Sequence, residues 1–374
     1  MKIAIIDADL IGRKKHRFPN LACMKISGYY KDLGNEVELK LNYENLEQYD
    51  KVFISKVFTD TQIDEEILKL NNVEYGGTGF YYDKAPKLPC EIEHHMPDYH
   101  LYDDWVEYQL NNKKASKKAL KYYTDYSIGF VTRGCFRQCG FCVNKNYKKV
   151  EEWSPLEEFL DKDRKKICLL DDNILGFKNR KEIIQKLKNT NKKFQFKQGM
   201  DIRLVDDEIA KLLLSCKYDE DYIFAFDNIE DKSIIENKLK LWRKYNTSKG
   251  MNTKLYCFCG FDRNDKWDYD FWKRDIIDLF ERIRILMKYN CKPYIMRFNR
   301  YEESPYRGIY INVAQWCNQP QFFSKMSYRE MCEKDNERKG GNSATIRYNN
   351  YLEENEKEIS DKYFNLKLED IKII

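Results

Sequence analysis

Between residues 126 and 298 the chain alternates short apolar runs with amphipathic stretches, and no other feature narrows its possible folds so far. The runs are Tyr126–Thr132, Lys166–Leu170, Phe194–Gly199, Tyr222–Phe226, Leu255–Gly260 and Pro293–Phe298. Ser154–Leu160, Arg180–Lys188, Asp206–Leu214, Ser233–Tyr245 and Trp272–Tyr289 lie between them with apolar residues at helical spacing. Ser154-Pro155 and Asp206-Asp207 supply the cap and first-turn chemistry of helix starts. Six successive βα units predict a partial, open (β/α)6 barrel, a fold that gathers ligands at the C-terminal ends of its strands.

The chain before this region alternates in the same way. Strands are expected at Lys2–Asp7, Glu36–Leu41, Lys51–Phe58 and Val73–Phe80, with helices from about Leu21 to Leu33 and around Asp64–Leu70. That pattern predicts a small doubly wound, Rossmann-like parallel sheet. The basic stretch Lys113–Lys121 reads as helix plus linker, so the expected α/β domains are 1–112, 113–300 and an extension over 301–374. In the extension the pattern weakens, and one charged helix is expected from about Tyr348 to Tyr363, with surface-like composition.

Composition excludes some classes. The chain has no run of about 18 apolar residues. Its start, Met1-Lys2-Ile3-Ala4-Ile5-Ile6-Asp7, meets an acid too soon for a signal peptide. A cytoplasmic protein without a membrane partner is therefore expected. The 12 cysteines are scattered rather than set out as a disulfide framework, in keeping with a reducing compartment. A net charge of +5 is small beside 66 basic and 61 acidic side chains, so charge does not call for nucleic acid, although it leaves that partner open.

Just after the first run of the second region comes Gly134-Cys135-Phe136-Arg137-Gln138-Cys139-Gly140-Phe141-Cys142. Three closely spaced thiolates can hold three irons of a 4Fe-4S cube and leave the fourth open to another ligand. Zinc is the competing occupant, but it prefers four closed ligands in paired Cys-x2-Cys units, and no second pair follows nearby.

The Cys-x3-Cys-x2-Cys spacing, with Phe141 just before the last cysteine, resembles the signature of the radical S-adenosylmethionine (radical SAM) superfamily. The resemblance implies that Cys135, Cys139 and Cys142 bind the cluster and that SAM chelates the fourth iron. An electron from a donor such as flavodoxin or ferredoxin would then cleave SAM to methionine and a 5′-deoxyadenosyl radical, which abstracts hydrogen from a substrate. The favoured substrate is a peptide or small metabolite, otherwise unidentified.

Further motifs at the strand ends resemble the same superfamily. Leu170-Asp171-Asp172-Asn173 resembles a segment that takes the SAM amine, which assigns Asp172 and Asn173 to the cofactor; the ordinary reading is an Asp/Asn turn. Gln198-Gly199-Met200-Asp201-Ile202-Arg203 resembles Gln-Gly-Leu/Met-Asp-x-Arg. It implies that Gln198, Asp201 and Arg203 contact SAM, against the alternative of an Asp201–Arg203 ion pair. Asp227 is a further ribose or substrate candidate. Gly260 would let backbone approach the adenine, and Arg297 to Arg300 could meet an acidic substrate or form salt bridges.

The first domain, with Gly76-Gly77-Thr78-Gly79 and the segment after it, resembles the cobalamin-binding-like domain of one subgroup. Members that ligate cobalt through histidine carry Asp-x-His-x-x-Gly, whereas this chain has Asp7-Ala8-Asp9-Leu10-Ile11-Gly12. A hard carboxylate replaces imidazole poorly on cobalt, so cobalamin is not expected. RNA methylthiotransferases share the domain order, but they carry a further cysteine triad where this chain has only Cys23 and Cys90. A cluster-bearing redox or binding protein that never cleaves SAM is the remaining alternative. A second cluster would need Cys257 and Cys259, on one face of a strand, to meet Cys291, Cys317 or Cys332, whereas buried thiols are the commoner outcome.

Overall fold

In a computed structural model, described over residues 1–373, the chain is a mixed α/β protein whose principal sheets are parallel. It divides into two compact units. The first comprises Met1–Asp171 with Thr190–Phe194, the second Asp172–Asn189 with Gln195–Ile374.

The first unit opens with strands β1 (Lys2–Asp7), β2 (Glu36–Leu39), β3 (Lys51–Ser55) and β4 (Val73–Gly76), in the order β2-β1-β3-β4. All three pairings are parallel, with Ile5 opposite Leu39 and Phe53, and Ser55 opposite Gly76. β1 is apolar throughout because both its faces are covered. Ile3 and Ile5 join Met24, Tyr99 and Trp105 on one face, while Ala4 and Ile6 join Leu46, Tyr49 and Val52 on the other. The Leu21–Asp32 helix starts where the Asn20 side chain accepts the Cys23 N–H, which satisfies one of the amides a helix start leaves open.

Several expected strands end early, two of them for a visible reason. β3 ends at Ser55, three residues early, because the Asp9 carboxylate takes the N–H groups of Val57 (2.7 Å) and Phe58 (3.4 Å) away from any ladder. β4 ends at Gly76 because Gly77, at φ +108°, turns the chain into the helical turn Thr78–Tyr81. The expected helices at Asp64–Leu70 and Ser154–Leu160 shrink to single turns, Ile67–Lys69 and Leu156–Glu158.

The later strands are β5 (Tyr126–Gly129), the short pair β6 (Thr132–Arg133) and β7 (Glu151–Glu152), then β8 (Lys166–Leu169) and β9 (Lys193–Phe196). β5 and β8 pair in parallel, with the start of β9 next in order, and β6 and β7 pair antiparallel. The second unit holds β10 (Tyr222–Ala225), β11 (Thr253–Cys259) and β12 (Lys292–Arg297), all parallel. Met200 adds a parallel bridge to Phe224. The second region's six expected strands are therefore all present as strands.

The stretch after residue 301 differs from its expected surface character. It forms helices Arg307–Asn318, Tyr328–Arg338, Ala344–Asn355 and Lys357–Tyr363, which bury Tyr310, Trp316, Tyr328 and Phe364. The single helix expected over 348–363 breaks at Glu356, whose buried carboxylate takes Lys273 and the Tyr269 hydroxyl. No helix among the described residues is long and apolar enough to cross a membrane.

Candidate functional site

The three cysteines lie on the excursion between β6 and β7, whose pairing of Thr132 with Glu152 and Arg133 with Glu151 closes the base of the loop. Gly134 enters the loop at φ +96°, and a Cβ there would meet the Lys149 carbonyl oxygen at 2.3 Å, so only glycine fits. Gln138 also has positive φ, and its side-chain amide reaches back to the Tyr147 carbonyl. Cys135, Cys139 and Cys142 are all half-buried, as is Phe141. The Arg137 N–H points at the Cys135 sulfur (3.5 Å) and the Asn144 N–H at the Cys142 sulfur (3.4 Å), while the Cys142 N–H donates to the Cys139 carbonyl. Backbone N–H groups aimed at cysteine sulfur are among the contacts that tune an iron–sulfur cluster held by thiolates. That donor set fits an iron–sulfur cluster. No group of three or more His, Cys, Asp or Glu side chains among the described residues is already arranged around a metal position.

Asp171 positions the start of the loop. Its buried carboxylate accepts from the Thr132 N–H and hydroxyl, both at 2.6 Å, and from the Val131 N–H at 3.3 Å. A second anchor is Glu93, which takes the Trp153 indole N–H at 2.9 Å and pairs with Lys25 at 3.2 Å. Lys25 is itself buried, and burial pushes its ammonium below the usual range while Glu93 opposes the shift. The reading from sequence passed over both Asp171, as part of a turn, and Glu93, as part of a bridge. A buried acid directly following an apolar strand was the available signal for Asp171.

The remaining candidates lie in the second unit. Asp172 is half-buried and Gln198 exposed. The buried Asn173 accepts the Asp201 N–H at 3.2 Å. Asp201 and Arg203 face each other, with Asp201 Oδ1 2.7 Å from Arg203 Nε, and Arg203 Nη1 reaches Asp231 at 2.6 Å. Asp227 accepts the Phe258 N–H at 2.9 Å, and desolvation pushes its carboxyl upward against that bond and the Arg282 charge.

Arg282 is the residue that sequence reasoning missed in this unit. From the helix Tyr269–Lys288 its buried Nη1 donates to the carbonyls of Phe226 (3.0 Å), Asp227 (3.1 Å) and Phe258 (2.9 Å), tying the ends of β10 and β11. Gly260 gives its N–H to Asp275, also held by the Tyr310 hydroxyl. Arg300 pairs with Glu303 through both ends of its fork.

The other acids, histidines and cysteines have partners of their own. The Asp9 carboxylate takes the Thr61 hydroxyl as well as the two amides after β3, a structural anchorage at the place the histidine would occupy. His94, His95 and His100 pair with different acids, Glu158, Asp32 and Asp103. Cys257, Cys259 and Cys317 are buried and electrostatic neighbours, whereas Cys332 lies beside Tyr328 and Asn349. The chain matches no protein-family model and no curated protein sequence.

Proposed function

We propose that this chain is a radical SAM enzyme in which Cys135, Cys139 and Cys142 hold a 4Fe-4S cluster and a hydrogen atom is abstracted from a peptide or small metabolite. The observation that carries the reading is the Cys-x3-Cys-x2-Cys loop itself, closed at its base by β6 and β7, with backbone N–H groups aimed at two of its three sulfurs. When bound, the cluster supplies the electron that cleaves SAM and frees the 5′-deoxyadenosyl radical. The residues provide the setting: Asp171 fixes the strand from which the loop leaves, and Glu93 fixes Trp153 at its return. In the same proposal the first sheet is a Rossmann-like, cobalamin-binding-like domain, and β5, β8, β9, β10, β11 and β12 are the strands of a partial (β/α)6 barrel followed by a C-terminal extension. Their order and parallel pairing support that arrangement.

One observation favours a second reading, a cluster-bearing redox or binding protein. Arg203, expected to contact SAM, is engaged by Asp201 and Asp231. Anaerobic reconstitution with iron and sulfide, followed by SAM and dithionite, separates the two. The enzyme yields 5′-deoxyadenosine, and Cys139→Ala abolishes it. A cluster that is reduced without forming 5′-deoxyadenosine, with or without candidate substrates, refutes the enzymatic reading.

A further inference from the structure

We propose that a cavity of about 560 Å³ within the first unit binds a small, flat organic anion. Helix Leu21–Asp32 and the ends of β3 and β4 form one side of it, residues 82–93 another, and Val143, Asn144 and Tyr147 of the cysteine loop a third. Protein interiors rarely leave voids larger than a water molecule, and this volume falls within the roughly 300–1,000 Å³ of small-molecule sites.

Its wall specifies the chemistry. Trp153 presents a flat apolar surface held in place by its hydrogen bond to Glu93. Two cations attend that ring: the Lys87 ammonium, 5.1 Å from it and 5.4 Å from the Tyr147 ring, and the Arg133 guanidinium, 5.4 Å away. Neither cation is neutralised closely. The buried Arg133 Nε has no hydrogen-bond partner, its ion pair to Glu93 is 3.8 Å long, and Lys87 has no ion pair among the described residues. Two acids of the wall are already committed, Glu93 to Lys25 and Glu74 to Lys51. The other two, Asp83 and Glu91, belong to the segment over residues 82–93, and Glu91 is exposed to water. The two charges placed over the Trp153 ring itself are both positive, and a planar anion can stack on the indole while accepting from guanidinium and ammonium.

Backbone conformation is a second, independent sign. Tyr82, also in the wall, sits at φ +52° and ψ −117°, a region that a bulky residue enters at a cost of about 1–3 kcal/mol and that is concentrated at ligand sites. The cavity meets the loop at Asn144, whose N–H points at the Cys142 sulfur. An anion bound there is the substrate if the proposed function holds; that role rests on the proposed function, whereas the binding does not.

The test titrates the full-length chain, with and without reconstituted cluster, against three naphthalene probes of matched shape: the sulfonate, the neutral methanol and the cationic methylammonium. The sulfonate should bind at least about tenfold more tightly than the other two, and Lys87→Met and Arg133→Met should each weaken it about tenfold. Lys87 is exposed, so its variant remains informative even if Arg133→Met folds poorly. Equal binding of the three probes, or undiminished sulfonate binding in Lys87→Met, overturns the assignment. Selective sulfonate binding by a chain that forms no 5′-deoxyadenosine in the SAM and dithionite assay defeats the enzymatic reading alone, and 5′-deoxyadenosine formation by a chain that does not discriminate the probes defeats the cavity assignment alone.

Discussion

Asp171 Oδ1 lies 2.6 Å from both the backbone nitrogen and the hydroxyl of Thr132, so one buried carboxylate binds the end of β8 to the first residue of β6. Everything between Gly134 and Lys149 hangs from that point and from β7. A buried acceptor that serves two amides and a hydroxyl holds position more firmly than a turn of the same length could, because each donor it leaves unmet costs free energy.

Replacing Asp171 with alanine is therefore expected to destabilise the protein by about 3 kcal/mol, the cost of orphaning buried donors. The iron bound after reconstitution should fall with it. Asp171→Asn, which keeps one acceptor oxygen, should recover part of both. Urea unfolding and iron-to-protein ratios measure the two effects, and unchanged values for Asp171→Ala would show that the clamp does not position the loop.

Lys25 and Glu93 form a buried pair, and breaking such a pair costs more than deleting it. Glu93→Ala should cost about 3–5 kcal/mol, since it strands a buried ammonium and frees Trp153. Lys25→Met made in that background should restore a measurable part of the loss. A double-mutant cycle by chemical denaturation reads the coupling, and strictly additive losses would count against it.

The Asp7 carboxyl is buried beneath Tyr102, and desolvation raises it from an ordinary value of 3.8 to about 7, against the bond from Tyr102. Because the folded value exceeds the unfolded one, the folded state holds the proton more tightly. The resulting stability is complete below about pH 4 and is lost as pH rises through about 7. Asp7→Asn keeps an acceptor oxygen and cannot ionise. Its stability relative to the parent should improve from about pH 5 to about pH 8. Parallel pH profiles for the two proteins would refute the assignment.

Gly308 sits against the ring of Tyr348, where an added Cβ would come within 1.9 Å of a ring carbon. Gly308→Ala should cost about 1–3 kcal/mol by overpacking the Arg307–Asn318 helix against Ala344–Asn355. Shortening the neighbour with Tyr348→Leu should relieve part of that loss. Thermal unfolding of the single and double variants is the measurement, and a Gly308→Ala protein as stable as the parent would mean that the helices shift freely.

Sequence alone determined the elements whose cause is local. Period and composition placed β1 and the six longer strands of the second region, though not the short pair β6 and β7, because an apolar run between polar turns has few other uses. Spacing alone also singled out Cys135, Cys139 and Cys142, since no tertiary contact is needed to read a motif.

Only the tertiary structure decided the rest, because it depended on partners distant in the chain. Asp9 ended β3 by taking amides some 48 residues away. Arg203 found Asp231, and Asp171 found Thr132, at separations along the chain that no local pattern encodes. The polar-looking stretch beyond residue 301 became helices with a buried aromatic seam, Phe280 against Tyr328, Tyr363 and Phe364. Burial is a property of the neighbour as much as of the residue: a mixed sequence reads as surface until another face arrives to cover its aromatic side.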